Sequence, residues 1–205
     1  MKESASAVKS SPAKNGAIKS IAVYCGSSLG SSEIYKENAI IFAKELAKRD
    51  ITLVYGGASV GIMGTVADTV LQAGGNVIGV IPALLEQREI SHKCLSELHI
   101  VETMHQRKNK MIELADGFVA LPGGFGTLEE FSEVFTWSMI GLNNKPCGIL
   151  NINNFYDPLI SMIDKMADEQ FLQEKYRSMA IIEKNPTVLL DRFDHYVVPS
   201  LKTYD

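Results

Sequence analysis

Three turns in the chain carry the residue types that hold phosphates: Gly26-Ser27-Ser28, Gly56-Gly57-Ala58-Ser59 and Pro122-Gly123-Gly124-Phe125-Gly126-Thr127. Glycine lets the backbone approach a ligand closely, and a helix that starts just after such a turn offers free N–H groups and the positive end of its dipole. A single turn of this kind need only reverse the chain. Three of them, each closing a short apolar run, build an anion cradle. The ligand class narrows by exclusion. No GxGxxG follows the first apolar run, and no acidic residue ends the second, Tyr55-Gly56-Gly57, so a dinucleotide site is disfavoured. No GxxxxGK[ST] is present, which removes the P-loop. A smaller phosphate ligand is expected.

Two charged segments supply candidate chemistry. In Met104-His105-Gln106-Arg107-Lys108, Thr103 and Gln106 have the spacing of a capping box. That spacing puts Arg107 and Lys108 in the first turns of a helix, where a cation opposes the dipole by a few tenths to about 1 kcal/mol. Such a placement invites an anion nearby, unless both side chains simply point into solvent. In Thr127-Leu128-Glu129-Glu130 the same spacing recurs, and by itself it favours Glu130 as a helix cap. A carboxylate beside a phosphate loop is also where a general base or a stabiliser of positive charge belongs. The spacing leaves both readings open. His92, His99, His105 and His195 show no metal-ligand spacing, and no GxSxG is present. No metal and no cofactor are expected. Lys108 and Lys110 would permit Schiff-base chemistry, but nothing in the sequence nominates a pyridoxal partner.

These groups need a scaffold, and the hydrophobic pattern describes one. Apolar runs at 21–25, 52–55, 77–81, 98–101, 118–121 and 147–150 read as strands. Between them, helical periodicity covers 32–49, 62–73, 104–115 and 127–141, and further helices complete the chain. Ile34, Ile41, Phe42, Leu46 and Ala47 show the spacing in the first helix, and Gly74-Gly75 supplies a stop for the second. Leu128, Phe131, Val134, Phe135 and Leu142 read as core or subunit contact. Unbroken apolar strands alternating with helices predict an α/β fold, a Rossmann-like doubly wound parallel sheet flanked by helices on both faces. In such a sheet the loops at the carboxyl ends of the strands share one edge, and the three glycine-rich turns fall there.

The 205 residues suit one domain over 18–205, preceded by a Ser/Ala/Lys-rich tail at 1–17 that reads as disordered. A hydrophobic fraction of 46% supports a core, and a net charge of -4 with scattered basic residues argues against nucleic acid. No apolar run approaches the roughly 20 residues of a membrane span. Cys25, Cys94 and Cys147 are odd in number and far apart, which argues against disulfides and zinc and for a cytoplasmic protein.

The segment Pro122 to Glu130 resembles the PGGxGTxxE motif of the Lonely Guy family, the cytokinin riboside 5′-monophosphate phosphoribohydrolases. Met104 to Lys108 is similar to the same family's MHxRK segment. Tyr24-Cys25-Gly26-Ser27-Ser28, the Tyr55-Gly56-Gly57 turn with Gly61-Ile62-Met63-Gly64, and Thr136-Trp137-Ser138 also look family-like, and the similarity runs from about residue 19 to 195. The resemblance implies hydrolysis of the N-glycosidic bond of an adenosine 5′-monophosphate, N6-modified or plain, to a free base and ribose 5-phosphate. It implies Arg107 and Glu130 as the catalytic pair. It places substrate on Ser27, Gly57, Glu89, Lys108, Gly123, Gly124, Phe125, Gly126, Thr127, Leu128, Glu129 and Thr136. It also implies a homodimer with the site near the subunit interface. Glu130 would stabilise the oxocarbenium-like charge and handle the attacking water; Arg107 would hold the phosphate or polarise the base. Two rivals stand beside this reading: a carrier that binds a nucleotide or molybdenum cofactor without cleaving it, and the lysine decarboxylase with which such sequences are often labelled.

Overall fold

A computed structural model describes residues 18–86 and 91–198. The segment 1–17 and residue Glu89 lie outside the described residues. The strands are β1 (Ser20–Tyr24), β2 (Thr52–Tyr55), β3 (Val77–Pro82), β4 (Glu97–Val101), β5 (Gly117–Ala120), β6 (Cys147–Leu150) and β7 (Ala180–Glu183). Between and after them come helices α1 (Glu33–Lys48), α2 (Gly61–Gln72), α3 (Ala83–Glu86), α4 (Met104–Leu114), α5 (Phe125–Met139), α6 (Asp157–Asp168), α7 (Glu174–Arg177) and α8 (Pro186–Asp194).

The strands form one parallel sheet in the order β4-β3-β2-β1-β5-β6-β7. The order reverses direction between β1 and β5, so the crevice above their carboxyl ends is the switch point where ligands of such sheets bind. Side chains alternate along each strand and separate two cores. Ile21 and Val23 of β1 pack with α1, α2 and α8, while Ala22 and Tyr24 pack with Met111 of α4 and Phe131 of α5. Both faces are covered, which is why the strands read as unbroken apolar runs. The fold is Rossmann-like, as the alternating pattern predicts.

Two local expectations change. The third residue run after β6 is a strand rather than only helix: β7 adds a seventh member to the sheet edge. Its apolar part is just Ala180-Ile181-Ile182, too short to separate from a helix by periodicity. The helix expected from 127 begins two residues earlier, at Phe125, with Gly124 as its N-cap. Thr127 therefore lies inside the first turn and caps nothing, because Gly124 already occupies the position where the chain enters the helix.

Candidate active site

The loops after β1, β2 and β5 are lashed to one another by main-chain bonds. The Gly26 N–H donates to the Pro122 carbonyl at 3.1 Å, and the Met63 N–H donates to the Gly26 carbonyl at 3.3 Å. Gly61, with φ +62°, sits so close to the first loop that a Cβ there would lie 2.3 Å from the Ser27 carbonyl carbon. Side chains are excluded at that contact both by conformation and by space.

Above the switch point these loops enclose a cavity of about 340 Å³. One wall is the start of α5, from Gly124 through Thr127. The first helical bond runs from the Leu128 N–H to the Gly124 carbonyl at 3.2 Å, so the N–H groups before Leu128 have no partner within the helix. With the helix dipole behind them, they have the arrangement that attracts anions. Gly123 is held bare by Thr127, whose Oγ1 would lie 2.1 Å from a Cβ at that position. A second chamber of about 310 Å³, walled by Tyr35 and Phe155, shares Gly26, Ser27 and Gly124 with the first.

The same cavity is lined by Arg107 of α4 and by Glu130, one turn further along α5. α4 begins with the expected capping box: Thr103 accepts from the Gln106 N–H, and the Gln106 side chain accepts from the Thr103 N–H. The box fixes the helix start and aims Arg107 inward. Arg107 is 9% exposed and Glu130 7%, so neither points into solvent. Arg107 Nη1 donates to Glu130 Oε1 at 2.7 Å, and its Nε donates to the Val80 carbonyl at 3.2 Å. The anion invited by a cation in the first turn of α4 is thus a carboxylate of α5. Glu130 is no helix cap. Burial pushes its carboxyl above the ordinary carboxylate value, and Arg107 pulls the other way. A buried carboxylate held ionisable by one guanidinium is the arrangement of a general base or of a group that faces developing positive charge.

Lys108, also buried, turns away from the cavity and pairs with Glu129, and with Glu133 at 3.1 Å. Its hydrogen bond to Glu129 raises the pKa of the amine. Of the other residues the motifs nominated, Phe125, Gly126 and Glu129 line the main cavity, Gly123 lines the second chamber, and Ser27 and Gly124 line both. Gly57 is buried under the 91–96 segment, its carbonyl accepting from the His92 N–H at 2.8 Å. Leu128 packs against the core of its face, Thr136 is exposed further along α5, and neither lines the cavity.

Cys25, Met63 and Met104 line the cavity as well, and no spacing rule marks them. Each lies within a segment singled out for other residues, which was the available signal. The Cys25 thiol is pushed far up by burial and further by Glu130, so it stays protonated and is no nucleophile. Among the described residues, no group of three or more His, Cys, Asp or Glu side chains is arranged to hold a metal ion. No described helix is long and apolar enough to cross a membrane.

Comparison with known proteins adds to this geometry. A family described as possible lysine decarboxylase matches residues 63–193. A cytokinin riboside 5′-monophosphate phosphoribohydrolase of Arabidopsis thaliana is 46% identical over 177 residues, covering 86% of this chain and 83% of the relative. The enzyme of that name from Oryza sativa subsp. japonica is 45% identical over 177 residues, covering 86% and 73%. Among solved structures, the molybdenum cofactor binding protein of Rippkaea orientalis superposes with a TM-score of 0.66 at 20% identity, covering 86% of this chain and 96% of that one. At that identity the likeness concerns the fold alone.

Proposed function

Because the chain belongs to the cytokinin riboside 5′-monophosphate phosphoribohydrolase family, we propose that it hydrolyses the N-glycosidic bond of an adenosine 5′-monophosphate carrying an N6 substituent. The products are the free base and ribose 5-phosphate. The observation that carries this reading is the buried Arg107–Glu130 pair lining one cavity with the start of α5. The 5′-phosphate binds the N–H groups of Gly124 to Thr127. The ribose then lies over Glu130, and the base reaches the apolar wall of Met63 and Met104.

In the reaction the C1′–N9 bond breaks and its electron pair leaves with the base. Positive charge develops on the ribose, as in other glycoside cleavages, and the Glu130 carboxylate faces it. Water adds to C1′; Glu130 accepts its proton, and a proton ends on the departing base. Arg107 acts on Glu130, holding the carboxylate ionised and in place. The decarboxylase description attached to the matching family finds no support in the lysines nearest the site. A Schiff-base lysine needs a lowered pKa, whereas that of Lys108 is raised by its carboxylate partners. Lys110 pairs with Glu113 at 3.1 Å. Lys145, whose amine burial does lower, precedes β6 and so lies at the amino end of the sheet.

The test is chromatography of N6-isopentenyladenosine 5′-monophosphate, AMP and the two unphosphorylated ribosides after incubation with the protein. Free base is expected from the monophosphates, with kcat/KM at least about a hundredfold above the ribosides, since a charge-assisted anchor of several hydrogen bonds is missing from the latter. Equal rates with and without phosphate would remove the α5 anchor from the scheme. No base from any of the four would leave a binding protein.

The assembly is a homodimer in this reading. Phe125 at the cavity mouth is 91% exposed, Met104 46% and Leu142, just beyond α5, 70%. Phe125 and Met104 line the cavity and Leu142 lies past the far end of α5; large exposed apolar side chains at both ends of one helix are what a second copy covers. Sedimentation equilibrium is expected to give twice the 22.5 kDa chain mass; a monomer at micromolar concentration would refute the interface.

A further inference from the structure

The guanidinium of Arg107 is held on three sides, and one of them is an absence. Nη1 meets Glu130, Nε meets the Val80 carbonyl within β3, and the remaining nitrogen lies beside Gly56, just after β2. A Cβ added at Gly56 would stand 2.1 Å from Arg107 Nη2, 3.2 Å from its Cζ and 2.5 Å from Met63 Cε. The contacts at 2.1 and 2.5 Å are far inside van der Waals distance.

Gly56 differs from its neighbours in this respect. Gly57 has φ +77°, so a side chain there strains the backbone whatever the space. Gly61 would collide with the main chain of Ser27. At Gly56 the backbone is not in the left-handed region, and the nearest obstacles are the ends of two flexible side chains. Alanine can therefore be accommodated by the sheet, and what must move is Arg107 and Met63. The missing methyl group serves the arginine, not the turn.

We propose that Gly56 is a positioning residue for the hydrolysis: its bare α-carbon is the seat that lets Arg107 reach Glu130. This rests on the catalytic reading of the pair given above. With a methyl group at position 56 the guanidinium leaves the carboxylate by an ångström or more, and a displacement of that size at a reacting centre lowers rate by about 10²-fold. Glu130 faces Arg107 and Lys108 of α4, Glu129 of its own helix, Tyr24 of β1 and Cys25 just after it. Of these, Lys108 is engaged by Glu129 and Glu133, so no second cation replaces a displaced Arg107.

The experiment is a double-mutant cycle on full-length protein with N6-isopentenyladenosine 5′-monophosphate as substrate. Gly56→Ala is expected to lose about a hundredfold in kcat/KM with a thermal midpoint near that of the parent. In the Arg107→Ala background the same substitution is expected to cost no more than Met63→Ala does alone, because only Met63 is left to be displaced. Losses that multiply, or a Gly56→Ala protein at parental rate, overturn the proposal. If Gly56→Ala alone does not fold, combining it with Arg107→Lys, which lacks Nη2, should restore folding; failure of both overturns it too. Titration of the Glu130 side-chain carboxyl by 13C NMR needs no turnover. Its pKa is expected to rise in Gly56→Ala and not in Met63→Ala, and an unchanged value sinks the proposal even if the substrate assignment is wrong. Parental protein that cleaves no monophosphate would count against the functional reading alone.

Discussion

Replacing Glu130 with glutamine is expected to slow glycosidic cleavage by about a thousandfold, within the range for loss of a general base or a charge-stabilising group, and at the same time to make the protein more stable at neutral pH. The two effects have one cause. Burial raises the folded-state pKa of this carboxyl above its ordinary 4.5, despite the adjoining guanidinium. The folded chain thus keeps the proton to higher pH than the unfolded chain does. The stabilising contribution of the protonated form is complete below 4.5 and is lost as pH climbs through the raised folded value. Above that value the native state carries a carboxylate in a setting that favours the acid. Glutamine has the shape of the acid and never ionises, so it abolishes this pH-dependent loss. Calorimetry across pH 4 to 8 on both proteins, beside kcat measurements, checks the pair of effects. A glutamine variant that is less stable at neutral pH, or one that retains full kcat, would make Glu130 a structural ion-pair partner.

Arg107→Ala is expected to act on kcat by about 10² to 10³ while leaving KM for the monophosphate little changed. The phosphate sits on the start of α5 in this scheme, and the arginine is directed at Glu130. Without its cation the carboxyl loses the main influence that lowers its pKa. The acid limb of the kcat/KM profile should therefore move to higher pH, and the deficit should narrow as pH rises. Stability should fall as well. Removing one member of a buried pair costs about 3 to 5 kcal/mol when the survivor stays charged, and less here because Glu130 can take up a proton. A variant with raised KM and unaltered kcat would instead assign the guanidinium to the phosphate.

The parts of this site that repeat along the chain were legible before any coordinates. Short apolar runs closed by glycine located the strand ends, and the Thr103–Gln106 box located the start of α4. What the sequence leaves open is direction. Thr127 and Glu130 have capping-box spacing, yet Glu130 crosses to another helix, because Gly124 starts α5 and the pull of Arg107 lies elsewhere. Lys108 sits beside Arg107 in sequence and is equally buried, but successive helical residues diverge by about 100°, and it meets Glu129 and Glu133 instead. Met63 and Met104 enter the cavity through tertiary placement alone. β7 was missed because three apolar residues at a sheet edge carry too little pattern to distinguish strand from helix.

The protonated thiol of Cys25 in the cavity wall bears on how such a site survives oxidising conditions. Peroxides attack thiolates, and neither Cys25 nor Cys147, whose pKa is pushed up to about 12, supplies one at neutral pH. Both are also buried, whereas Cys94 stands exposed. Thiol oxidation therefore falls on a surface sulfur outside the cavity walls, and the Glu130 carboxylate keeps an inert thiol as neighbour.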